Sequence, residues 1–195
     1  MDKDLDEVFE KLDYEVTDLH YRWLMYRDVY AVGPEQTELL NKYGANFFYC
    51  TQFLMLDYIA LAFSKITDPN SQGKNENLSL KQFHVIYSDL GEGELVKILK
   101  EKFEELKGAC SKFRELRNKR IAHADFNHAL GLTEEPLPGI SRAYVENALR
   151  LLSEYINIVN KHRTNSTTLY DQTIENPDGS AKKLIAAIKL AEANA

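Results

Sequence analysis

Cysteine occurs twice and proline five times in this 195-residue chain, and no stretch alternates apolar and polar residues long enough to make a convincing strand. Two isolated thiols, Cys50 and Cys110, exclude a disulfide framework and a cysteine-based zinc site. His20, His84 and His162 are scattered without metal-ligand spacing, so neither a metal nor a cofactor is expected. A Gly-rich phosphate loop and a nucleophile elbow are both missing, which removes the enzyme classes built on them. The first residues, MDKDLDEVFEKL, are acidic and amphipathic, whereas a secretory signal needs a basic head and an apolar run. The greasiest stretch, residues 47–63, carries Thr51, Gln52 and Asp57 and is expected to fall short of a membrane span. The expectation is a soluble, cytoplasmic protein with no membrane partner.

What is present is an ordinary globular composition, 44% hydrophobic and 28% charged, with a net charge of -6. That balance argues against nucleic-acid binding over the whole surface. The charge is unevenly spread, however. Between Lys107 and His128, six cations (Lys107, Lys112, Arg114, Arg117, Lys119, Arg120) face only Glu115 and Asp125, a local +4 that leaves about -10 for the rest. One basic patch sits on an acidic body.

Helical spacing recurs along the chain. Phe9, Leu12, Val16, Leu19, Trp23, Tyr26 and Tyr30 advance by threes and fours and mark a long helix that Gly33-Pro34 breaks. A short helix over 35–43 is expected to stop at Gly44. The next, over 46–66, is apolar on nearly every side and is expected in the centre of a bundle. TDPNSQGKNEN makes a loop, after which Ser79 and Gln82 read as a capping box. A helix from about residue 92 carries the stripe Leu99, Phe103, Leu106, Cys110, Phe113, and the same steps reach Arg117 and Arg120. Those arginines are therefore expected to leave the bundle along its buried seam. After a loop over 124–139, a helix over 141–161 shows Val145, Ala148, Leu152, Tyr155 and Val159. A polar linker then leads to a helix over 180–193 with Leu184, Ile188 and Ala191 on one side. The fold class is all-α: an antiparallel up-and-down bundle of four to five main helices over 1–163, with a linker and short C-terminal helix over 164–195.

The segment RELRNKRIAHAD holds the candidate chemistry. Arg117 offers a planar, permanently charged fork for phosphate oxygens, and His123 can move a proton near neutral pH. Six helical steps set them roughly 120° apart, so both could border one cleft at a helix end. These are parts sufficient for metal-independent RNA cleavage, in which a ribose 2′-hydroxyl attacks the adjacent phosphate. One Arg–His pair is a sparse site, and a second copy across a two-fold axis would complete it. The alternative is a helix C-terminus whose cations answer the macrodipole, with His123 as one more cation or cap. Asp125 could orient His123 or form a turn. Asp57 needs a partner, with Tyr or Lys expected, and His128 could reach the same cleft from its loop.

LRNKRIAHAD at the end of a long helix resembles the HEPN superfamily, whose signature is an Arg, a polar residue and a His after a gap of four to six. LLNKYGANFF, ITDPNSQGKNENLSL and the helix after the motif are similar to the HEPN-like branch associated with bacterial phage abortive infection, over about residues 5–161. The resemblance implies a bundle that dimerises so that two Arg–His motifs face one another, often with ribonuclease activity. It assigns Arg117 to the phosphate, His123 to acid–base work and Asn118 to polar support. Lys112, Arg114, Lys119 and Arg120 are left as electrostatic support for binding RNA. Lys65 stands where the branch would have Arg before the TDP turn, which weakens a bidentate contact there. The expected function is an endoribonuclease of a defence or toxin–antitoxin system, with an antitoxin or nucleotidyltransferase as possible partner. Its rivals are a non-catalytic module that binds RNA, nucleotide or protein, and a purely structural dimerising bundle.

Overall fold

The computed structural model describes residues 4–122, 125–132, 136–172 and 180–194, and it is all-α apart from one two-residue ladder. Helix α1, Leu5–Tyr30, starts at Asp4, whose carboxylate accepts from the Asp6 and Glu7 N–H groups. Its stripe of Phe9, Leu12, Val16, Leu19 and Trp23 is buried as the spacing requires. Pro34 opens α2, Pro34–Ile66, in which Gly44 keeps a non-helical conformation. The break expected at Gly44 is present, and α2 is two helical segments joined across a kink there.

Only the C-terminal half of α2 enters the core, through Ile59, Ala60, Phe63 and Ile66. The expectation that the whole segment lies in the bundle centre fails. Phe47, Phe53 and Leu54 are 64%, 41% and 68% exposed, because α1 and the C-terminal helix meet only the opposite face of α2 there, through Phe48, Thr51 and Gln52. By length and composition alone α2 is apolar enough to cross a bilayer, which the run 47–63 was not expected to reach. Its last turns are nonetheless sealed inside the protein core.

A small antiparallel ladder, β1 (Ser71–Gln72) with β2 (Asn75–Glu76), turns through Gly73 at φ 62°. Helix α3, Lys81–Asp89, follows without the capping box. Leu80 is the cap residue, the Ser79 hydroxyl is buried without a partner, and Gln82 instead donates to the Asn70 and Asn77 carbonyls. Side-chain service to the preceding loop has displaced the cap.

The long helix expected from residue 92 is broken. Helix α4, Gly93–Ala109, ends at Cys110, and α5, Ser111–Leu116, runs into a π-helical turn, Arg117–Ile121. After a one-turn α6, Phe126–Ala129, helix α7, Arg142–Thr164, carries Val145, Ala148, Leu152, Tyr155 and Val159 into the core. Ser141 caps its start and Asn165, in the left-handed region, ends it. Helix α8, Ala181–Ala193, packs Ala181 and Ile185 on Val29 and Leu40. The side expected to be buried is only partly so, since Leu184 is exposed while Ile188 packs.

Burial depresses His20 and His84 to about 4. An unfolded histidine titrates near 6.5, so between pH 6.5 and about 4 the unfolded chain takes up protons that the folded chain refuses. Stability is expected to be insensitive to these residues above pH 6.5 and to fall as pH drops toward 4. Urea midpoints at pH 7 and pH 5 measure this. The midpoint should fall in the wild type, and the fall should shrink in His20→Gln.

Candidate nucleic-acid interface

The basic segment is positioned by two aromatic rings. Phe63 of α2 and Phe113 of α5 stack with centroids 4.5 Å apart and planes within 2°, both fully buried. The contact lays α5 along the C-terminal end of α2, so the cations of α5 and the π turn meet the acids of α2. The π turn closes through the Ala122 N–H on the Arg117 carbonyl at 2.8 Å. Arg117 enters the turn with α-helical backbone angles, φ -55° and ψ -50°, and no residue of Arg117–Ile121 is buried. Arg117 and Arg120 reach α2 from the protein edge.

Asp68, just beyond the end of α2, organises this edge. Arg114 donates to its Oδ1 at 2.8 Å and also to the Thr67 carbonyl at 3.0 Å and hydroxyl at 2.9 Å. Arg117 donates to the same Oδ1 at 3.3 Å. Arg120 pairs with Asp57, so the partner of Asp57 is an arginine rather than the expected Tyr or Lys. Thr67 in turn donates to the Phe63 carbonyl at 2.7 Å, tying Arg114 to the backbone that carries the aromatic stack. Arg114 is therefore committed to structure. Arg117 is held by one long contact to an oxygen already in use, and its remaining N–H donors are available to a phosphate.

The other candidates divide cleanly. Lys119 pairs with Glu115 at 2.7 Å, and Asn118 is exposed. Lys112 lies on the far side of α5, over the Tyr144 ring and 3.4 Å from the Gly139 carbonyl, away from the Arg114–Arg117–Arg120 row. Asp125 caps α6, accepting the His128 N–H at 3.0 Å, and that backbone bond lowers its carboxyl below the usual range. The turn-forming role expected for it is present. His128 Nδ1 stands 3.5 Å from the same carboxylate. His123 lies outside the described residues. Among the described residues no cluster of His, Cys, Asp or Glu could hold a metal.

Sequence reasoning missed Asp68. Within TDPNSQGKNEN it reads as part of a turn, and its signal is only that it follows the last buried turn of α2, opposite the arginines. With Asp57 and Asp68 counted, the local charge of +4 falls to +2. The apolar face of α2 leads straight into this edge: Phe47, Phe53 and Leu54 lie on the same helix as Asp57.

Removing Asp68 leaves Arg114 half-buried beside an empty carboxylate position, whereas removing Asp57 frees an exposed arginine. Asp68→Ala is expected to cost about 2 kcal/mol in urea denaturation, and Asp57→Ala under about 1 kcal/mol. Equal effects would contradict this ranking.

The HEPN_AbiU2 family model matches residues 2–184, and that HEPN-type family is associated with abortive infection. No curated protein and no solved structure matches the chain.

Proposed function

The chain belongs to the HEPN_AbiU2 family, and we propose that it is a metal-independent endoribonuclease of bacterial phage defence that works in the cytoplasm as a homodimer. The observation that carries the reading is Arg117, delivered by a π turn to a protein edge with most of its guanidinium uncommitted. In the proposed reaction Arg117 binds the scissile phosphate and stabilises the charge that grows on its oxygens. His123 takes the proton from the ribose 2′-hydroxyl as that oxygen attacks phosphorus, and a second His123 protonates the departing 5′-oxygen. The products are a 2′,3′-cyclic phosphate and a 5′-hydroxyl. Asn118, exposed beside Arg117, supplies a further polar contact, and Lys119 and Arg120 raise the local potential.

Two motifs are needed, and the surface suggests how they meet. Large exposed apolar faces on soluble proteins mark interfaces. The face of α2 that carries Phe47, Phe53 and Leu54 is continuous with Asp57 and the arginine row. A second copy docked on that face brings two basic edges together. A toxin–antitoxin arrangement, with an antitoxin or nucleotidyltransferase silencing the site, belongs to the same reading.

A second reading has its own support. Asp68 holds Arg117 in the resting chain, as in a module that binds RNA, nucleotide or protein without cutting it.

Purified protein incubated with RNA in EDTA separates the two. The nuclease reading expects cleavage that Arg117→Ala and His123→Ala each reduce at least about a hundredfold. Intact RNA with all three proteins, together with RNA binding by the wild type, would move the assignment to the binding module. Sedimentation tests the dimer: Leu54→Asp should yield monomer, and an unchanged dimer would place the interface elsewhere.

A further inference from the structure

A cavity of about 790 Å³ lies between α1 and α7, walled in addition by Lys102 of α4 and by residues 167–171. Its size and mostly apolar walls fall in the range of small-molecule sites. The core of the wall is Trp23, Leu24, Leu149, Ile158 and Tyr170. None of these belongs to the basic edge built on Arg117.

The cavity is preformed. Asn157 accepts the Thr168 N–H at 2.7 Å and donates to the Thr168 carbonyl at 2.9 Å, mimicking a strand partner for the segment that closes one side. The Tyr170 hydroxyl donates to Asp13, and its ring stacks on His20 at 5.7 Å. His20 in turn shares a 2.9 Å hydrogen bond with Ser153. His20 therefore presents an uncharged ring at neutral pH, as its burial demands.

The charge of the wall specifies an occupant. It is cationic on an acidic molecule: Arg27, Lys102, Arg150 and Lys161 outnumber Glu146, Glu154 and Asp171. Glu154 already serves both Lys102 and Arg150, and Glu146 serves both Arg27 and Arg142. Among the described residues Lys161 has no acid partner. Asp171, beside His20, is the one acid that would oppose an anion. An incoming anion can take Lys161 without leaving any carboxylate bare.

We infer that the α1–α7 cavity binds a small organic anion, with an aromatic or branched apolar body against Trp23 and Tyr170 and its charged group toward Lys161. This site is separate from the proposed ribonuclease edge and stands whether or not that reading does.

Trp23 is the only tryptophan in the chain, so its emission reports on this wall alone. The probe is 8-anilinonaphthalene-1-sulfonate added to the full-length protein, with uncharged N-phenyl-1-naphthylamine as the control of the same ring system. The expected result is saturable quenching of Trp23 by one equivalent of the sulfonate, at least about fivefold tighter than by the neutral amine. The exposed substitution Lys161→Glu should weaken the sulfonate about fivefold and leave the amine unchanged, while Leu90→Ser, exposed and outside the cavity wall, should change neither. Absent or unsaturable quenching would overturn the site. Equal affinity for the two probes, or indifference to Lys161→Glu, would overturn the anion as its ligand. Loss of quenching in Leu90→Ser would assign the signal to exposed apolar surface outside the cavity instead.

Discussion

Phe63 and Phe113 face each other ring on ring at the end of α2, and the geometry of the basic edge descends from that contact. Both rings are buried, so the stack fixes not only the distance between α2 and α5 but also their rotation about their own axes. With the rotation fixed, Arg114, one residue past Phe113, must meet Thr67 and Asp68, four and five residues past Phe63. Arg117 follows one turn later, against Asp68 just past the end of α2, and Arg120 one turn after that, against Asp57 within it. Electrostatics then refines what packing decides. The ion pairs of this edge could not locate α5 by themselves, because partly exposed pairs contribute little against the entropy of long side chains.

Much of the bundle was legible because its signal is redundant. The stripes of α1, α4 and α7 each repeat a buried apolar residue over several turns, and Leu12, Leu99 and Val159 sit where the spacing puts them. The failures occur where one residue carries several obligations. Ser79 and Gln82 have the letters of a capping box, but Gln82 is drawn away by the carbonyls of Asn70 and Asn77. The apolar residues of α2 satisfy the composition of a central helix, yet Phe47 and Leu54 are left mostly exposed by the described residues. Composition reports what a helix can bury and not what arrives to cover it.

The candidate site was legible by residue type but not by geometry. Arg117 and Arg120 extend the buried stripe of α4 on paper, a continuation that assumes an unbroken helix. Two interruptions intervene, at Cys110 and at the π turn; Gly108 stands two residues before the first, and no proline or glycine announces the second. The acids were harder still. Asp57 and Asp68 lie about fifty to sixty residues before the arginines they meet, so no local spacing could pair them. The basic segment looks like a free cluster in sequence, whereas in the fold each arginine of the row is answered by α2.

That answer is unequal, and the inequality decides which arginine can act. Freeing Arg114 would break bonds to Asp68 and to both oxygens of Thr67, and would leave a partly buried carboxylate without its main counter-charge. Freeing Arg117 breaks a single 3.3 Å contact, and Asp68 remains neutralised by Arg114. The second step costs little because the first cation stays in place, so under the proposed reaction an arriving phosphate would meet a guanidinium already aimed and only loosely held. Arg120 is also paired singly, but its partner Asp57 has no second cation in the row, so its release uncovers a charge. For the proposed reaction, Arg117 is thus the most loosely held of three arginines of equal chemistry. Sharing Asp68 with Arg114 is what keeps Arg117 both oriented and available.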